Sequence, residues 1–208
     1  MTAETTTDET LHETSLAAWD VPSAVAAGER FAVKVGAKSS AGCSLSGCTV
    51  EVLDQAGVVM ASVRLGDLPW PGTAALFWTE VELGAPPALG LTTFTARFDT
   101  SELEPPHRSA ASSFSVSVIA RPEHTLTVTV AANGAPIDEA YVRLGPLRAM
   151  TDAAGRAEIR LAKGRYELSV YKAGYDTAPV PLVIDADTAI AVEARAEPAD
   201  DPDAFWTA

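Results

Sequence analysis

TDAAGRAEIRLAKGRYELSVYKAGYDT, Thr151 to Thr177, is the stretch on which the fold turns. Apolar side chains fall at every second place: Ile159 and Leu161 first, then Tyr166, Leu168 and Val170. Between them stand Arg156, Glu158 and Arg160, then Arg165 and Glu167, with Lys163 in the break between the two runs. A repeat of two is the period of a pleated strand with one dry face and one wet face. Gly155 is free to take the positive φ a turn requires, and Gly164 opens the second run. The stretch therefore reads as turn, strand, turn, strand. Its charges read as a solvated sheet face, in which opposite signs on neighbouring antiparallel strands pair at about 0.2–1 kcal/mol each. That face needs no chemistry to explain it.

The same period continues on both sides. Upstream, TLTVTVAANGAPIDEAYVRLG alternates Leu126, Val128 and Val130 with threonines, and Val142 and Leu144 extend the inward set. Asn133-Gly134 is a hairpin turn signal, with Pro136 ending the turn. Downstream, PVPLVID and TAIAVEARA supply closing strands.

The pattern NGAPIDEAYVRL, then MTDAAGRAEIRLAKGRYELSVYKAGYDT, then VPLVI resembles the carboxypeptidase regulatory-like domain, a transthyretin-like β-sandwich. The likeness covers residues 125–196. It implies that Gly155 serves a turn, that Tyr166 braces a corner as a buried phenol bonded to backbone, and that the module is noncatalytic. A related transthyretin-like branch hydrolyses 5-hydroxyisourate with histidines, an arginine and a Tyr-Arg-Gly-Ser ending. Here the second half holds only His124 and the chain ends AFWTA, so that hydrolase is disfavoured as a third reading.

The first half has the same texture without the family signature. RFAVKVGAK places Phe31, Val33 and Val35 on one face. CTVEVLD, VVMASVRLG, TAALFWTEVELG, LGLTTFTARFD and SSFSVSVIA follow, separated by Gly- and Pro-bearing breaks. With the entry segment near Leu16–Val21, seven strand candidates predict an immunoglobulin-like sandwich. The expected fold is all-β: two consecutive antiparallel β-sandwiches, immunoglobulin-like over 17–120 and carboxypeptidase regulatory-like over 125–196. Residues 121–124 form a short linker, with a disordered acidic tail at 1–16 and an acidic tail with terminal aromatics at 197–208.

Of 208 residues, 47% are hydrophobic, which suits globular domains, and the net charge is −13. Four acids in residues 1–14 and four in residues 197–208, with no Lys or Arg among them, hold eight of those charges. An acidic chain repels a phosphate backbone and an anionic membrane, so neither nucleic acid nor membrane insertion is expected. The N-terminus lacks the basic start and apolar core of a signal peptide, which points to the cytoplasm.

Candidate chemistry is sparse. His12, His107 and His124 show no ligand spacing, and His107 reads as part of a solvated loop. Cys43 and Cys48 in AGCSLSGCTV admit three readings: free thiols, a possible disulfide, or metal ligands lacking two further partners. Glu80/Glu82 and Glu102/Glu104 read as solvated pairs, and no phosphate-binding or Ser-nucleophile motif occurs. No catalytic residue, metal or cofactor is expected. Trp78 reads as packing and Trp19 as an anchor for the entry segment. Trp70 in LPWPG, and Phe205 and Trp206 at the end of the chain, are the expected partner-binding residues. The expected function is a noncatalytic accessory or scaffold subunit of a larger protein assembly. A carbohydrate-binding or adhesion module is the alternative if the protein is exported, with Cys43 and Cys48 then bridged.

Overall fold

The computed structural model describes residues 11–100 and 103–197, which lie in two compact units, Met1–Ile119 and Ala120–Ala208. Every regular element in them is a β-strand. The acidic ends at 1–10 and 198–208, with Phe205, Trp206 and Glu102, lie outside the described residues.

Unit 1 contains β1 (Thr14–Trp19), β2 (Ala24–Ala26), β3 (Arg30–Ser39), β4 (Thr49–Leu53), β5 (Val59–Arg64), β6 (Phe77–Gly84), β7 (Gly90–Phe98) and β8 (Ala110–Ile119). They form a three-stranded sheet, β1-β3-β6, and a five-stranded sheet, β2-β8-β7-β4-β5. Alternation decides the core. Phe31, Val33, Val35 and Ala37 of β3 and Val81 and Leu83 of β6 meet Val50, Val52, Phe94, Ala96, Phe98, Phe114 and Val116 from the other sheet. The entry segment is two strands in different sheets: β1 runs antiparallel to β3, and β2 runs parallel to β8. Asp20, at φ 54°, and Pro22 make the crossing between them.

The segment expected as a tail over 1–16 carries a strand at its end. Strand β1 opens at Thr14, and Leu16 and Ala18 pack on the core. Two apolar side chains at alternate places suffice to hold this segment, and Thr- and Glu-rich surroundings hide them in a composition count.

Unit 2 contains β9 (His124–Ala132), β10 (Ala135–Pro136), β11 (Tyr141–Leu144), β12 (Leu147–Met150), β13 (Arg156–Leu161), β14 (Gly164–Tyr171), β15 (Tyr175–Asp176), β16 (Val180–Ile184), β17 (Thr188–Glu193) and β18 (Arg195–Ala196). Strand β9 begins at His124, inside the expected linker. One sheet is β10-β9-β13 with β17 parallel to β9, and the other is β12-β11-β14-β16. Leu126, Val128, Val130, Val142, Leu144, Ile159, Leu161 and Leu168 fill the space between.

This arrangement corrects the expected charge pairing. Strands β13 and β14 are consecutive but belong to different sheets, so their charges are not cross-strand neighbours. Arg156 pairs instead with Glu158 of its own strand at 2.5 Å. Arg165 and Glu167 lie on the outer face of the opposite sheet.

The turns work as their residues dictate. Asn133 and Gly134, at φ 50° and 78°, close the β9–β10 hairpin. Tyr166 Oη donates to the Ala162 carbonyl at 2.8 Å, the corner brace the family likeness implied. Thr151 is buried, and its hydroxyl accepts from Ala140 N at 2.7 Å and donates to Ile137 O at 2.7 Å.

Candidate functional site

Three places in the fold gather side chains beyond what packing needs. The first is the outer face of the β1-β3-β6 sheet. Trp19, Lys34 and Glu80 lie in one row across it, and Ala17, Gly36 and Trp78 in the next. Gly36 leaves the floor open, and Trp19 lies directly over it; a Cβ there would meet the ring at 2.9 Å. Trp70, from the β5–β6 connection, packs edge-on against Trp78 at 4.8 Å and Trp19 at 5.1 Å between centroids. Its loop is pinned by Trp70 N donating to Leu76 O at 2.7 Å, and by Thr73 Oγ1 donating to Trp70 O at 2.7 Å. Lys34 Nζ sits 5.5 Å from the Trp70 ring centre and pairs with Asp20. All three indoles are half-buried and in ring contact with one another. Trp70, expected as a presented anchor, is thus the third member of a small satellite core.

The second place is the end of unit 1 where the chain enters. His12 lies just before β1, Cys43 in the β3–β4 connection and His107 in the β7–β8 connection. Backbone bonds hold the first and last together: His12 N donates to Pro106 O at 3.0 Å, and Arg108 N to His12 O at 2.8 Å. Cys43 Sγ is 3.2 Å from His12 Nδ1, and the two imidazoles meet edge to face at 5.0 Å. His107 is only 7% exposed, contrary to the solvated-loop expectation. Thr100, itself buried, donates to the His107 carbonyl at 2.5 Å and fixes the loop. Cys43 and Cys48 are free thiols. Cys43 turns to His12, whereas Cys48 packs against the core, where burial pushes its thiol pKa up. Sequence spacing missed this cluster because its members come from the entry segment and two separate connections; the one signal was that all three lie outside strands.

The third place is the outer face of the β12-β11-β14-β16 sheet. Cross-strand register puts Met150, Tyr141 and Tyr171 in one row, and Arg148, Arg143 and Ser169 in the next. Arg165 lies across from Val183, and Glu167 across from Pro181. A shallow groove on this face is lined by Arg143, Gly145, Arg165, Tyr166, Glu167 and Ser169. Arg143 Nε donates to Gly145 O at 3.0 Å. Among the described residues, no carboxylate lies within ion-pair distance of Arg143, Arg148 or Arg165. Beside them Met150 is 59%, Tyr171 67% and Val183 67% exposed. The larger groove of unit 1, lined by Ser46, Glu51, Arg64, Arg97, Asp99 and Leu103 among others, differs in kind. Its acids balance its bases, and Arg97 is met by Glu51 at 2.6 Å.

None of the known family models matches the chain, nor does any curated protein sequence. Among solved structures, it is similar to the CARDB domain of the PF1109 protein from Pyrococcus furiosus, solved in complex with di-metal ions. That match is 19% identical, covers 53% of this chain and 94% of the other, and has a TM-score of 0.33. It is also similar to Salmonella alpha-2-macroglobulin reacted with methylamine, at 15% identity, 88% and 14% coverage and a TM-score of 0.36. A third likeness is to BcpA*(D312A), the major pilin subunit of Bacillus cereus, at 10% identity, 86% and 69% coverage and a TM-score of 0.27. These overlaps are too loose to carry a function.

Proposed function

We infer that this chain is a noncatalytic binding subunit, and that unit 2 docks an acidic, partly apolar protein surface on its β12-β11-β14-β16 face. Unit 2 is read here as a module of the carboxypeptidase regulatory-like kind. The observation that supports docking is the composition of that face: three exposed arginines without carboxylate partners among the described residues, bordered by exposed Met150, Tyr171 and Val183. Arg, Tyr and Met are the residues enriched at protein interfaces, and a guanidinium fork recognises carboxylates in a fixed plane. On a chain of net charge −13, a cationic face is a local exception that steers partners by sign.

The carbohydrate-binding alternative has weaker support, because the tryptophans it would use are occupied with one another and with Lys34.

Capture of partners from the native host with the tagged full chain tests the proposal. A partner recovered in fixed ratio, eluted by salt and lost from Arg143→Glu/Arg148→Glu supports it. Retention by that variant removes the face as the docking site, and a chain ended at Ala196 then tests the Phe205–Trp206 tail. If nothing is captured in fixed ratio by any form, the subunit reading fails.

A further inference from the structure

We propose that His12, Cys43 and His107 form a binding site for a single zinc-class transition-metal ion, held by two imidazole nitrogens and one thiolate. One nitrogen of each ring and the Cys43 sulfur lie within 4.8 Å of one another. A tetrahedral zinc ion, with bonds of about 2.0–2.1 Å to nitrogen and about 2.3 Å to sulfur, sets its donors about 3.3–3.6 Å apart. The His12–Cys43 pair is already at 3.2 Å, and the donor atoms as a set lie within 4.8 Å, so they close on an ion with a shortening of at most about 1.5 Å.

His107 is oriented as a ligand. Its Nδ1 lies 2.6 Å from the Pro105 carbonyl, and a carbonyl only accepts, so Nδ1 carries the proton. In the neutral ring Nε2 then has the lone pair, and it faces the buried Ser39 hydroxyl at 3.2 Å. A backbone carbonyl that fixes the tautomer of the opposite ring nitrogen is the usual outer shell of a metal-binding histidine. Across from Ser39 in the β1–β3 register, the Thr14 hydroxyl is buried without a hydrogen-bond partner. An ion with three protein ligands keeps a fourth position for water.

The donor set names the class of ion. Imidazole and thiolate suit zinc, cobalt and copper, whereas calcium and magnesium demand oxygen. Binding converts the Cys43 thiol to a metal-bound thiolate and releases its proton to solvent. The consequence is a cross-link between the entry segment and two loops of unit 1. This site belongs to unit 1 alone and stands or falls independently of the docking face.

The test uses the full chain, reduced and stripped of metal by chelator, then titrated with Co²⁺ and followed by competition with Zn²⁺. The expected result is one ion per chain, tetrahedral cobalt bands with a thiolate charge-transfer band, and a rise in Tm with Zn²⁺. Cys43→Ser and His12→Gln, both at partly exposed positions, remove the charge-transfer band or change the ligand field. Each weakens Zn²⁺ by more than the about 10- to 100-fold that loss of an outer-shell partner costs. Circular dichroism confirms that both variants remain folded. Absence of a thiolate–cobalt band in the parent chain, or unchanged Zn²⁺ affinity in Cys43→Ser, overturns the proposal and leaves a hydrogen-bonded cluster.

Discussion

Asp54 and Asp152 build the same five-residue turn in the two units. In each, the Asp Oδ1 accepts from the amides two and four residues on, at 2.9 and 2.8 Å for Asp54 and 2.9 and 2.9 Å for Asp152. The glycine three residues on, Gly57 or Gly155, takes φ 78° or 71°. Their surroundings differ. A Cβ on Gly57 meets nothing within 4 Å, whereas one on Gly155 would sit 2.4 Å from the Val130 carbonyl oxygen. Gly57→Ala is expected to cost the left-handed strain alone, about 1–2 kcal/mol. Gly155→Ala adds an overpacking cost of about 1–3 kcal/mol. Urea unfolding of the two variants measures the difference, and equal losses would refute the close approach. Tyr166 offers a test in pH. Burial raises its phenol pKa above the ordinary value, so the folded state holds that proton more tightly than the unfolded chain does. The stability this confers is full below about pH 10 and is lost as pH climbs through the folded value. Tyr166→Phe is expected to lose the Ala162 bond at every pH, yet to show a shallower decline in stability above about pH 10 than the parent.

At the scale of strands, the face that is proposed to bind is not optimised for stability. Arg148 and Arg143 are direct cross-strand neighbours. Like charges in that position are destabilising, and opposite charges contribute about 0.2–1 kcal/mol. Arg148→Glu is therefore expected to stabilise unit 2 by a few tenths of a kcal/mol while weakening partner capture, a pair of opposite effects that an inert sheet face would not show. Thermal unfolding and capture on the same protein decide it. The other sheet of interest answers to Gly36. Gly36→Ala puts a Cβ 2.9 Å from Trp19 and 3.1 Å from the Phe77 carbonyl. Its expected cost is about 1–3 kcal/mol, with a shift in tryptophan emission as the indoles part. Much of this was legible beforehand. The alternation that buries Phe31, Val33 and Val35, or Leu126, Val128 and Val130, is a property of the strand and is written locally. The partner of each strand is not. Nothing between Leu161 and Gly164 says that β14 leaves the sheet of β13, and so Arg165 reads as one of a run of paired charges rather than as sharing a sheet with Arg143 and Arg148. The His12–Cys43–His107 cluster was illegible for the same reason. It exists only because the entry segment and two connections meet at one pole of the sandwich.

For the molecule as a whole, the two hydrophobic clusters share no residue, and each unit closes its own. A unit with its own core folds without its neighbour. The fragment 120–208 is therefore expected to unfold in one cooperative transition, and Thr151 is the place to probe it. Both bonds of its buried hydroxyl reach backbone groups across the β10–β12 region, Ala140 N and Ile137 O. Thr151→Val keeps the shape and strands both groups, at about 1–3 kcal/mol for each group left unsatisfied. For a unit of this size about 1 kcal/mol moves Tm by about 4–8 °C, so the loss of both bonds is expected to lower Tm by at least about 8 °C. The same loss should appear in the fragment and in the transition of the full chain that belongs to unit 2. Gly36→Ala should leave the fragment's transition untouched, because Gly36 belongs to unit 1. A fragment that melts without cooperativity would show that the core of Leu126, Val142, Ile159 and Leu168 does not suffice, and that stability in this chain is a property of the pair.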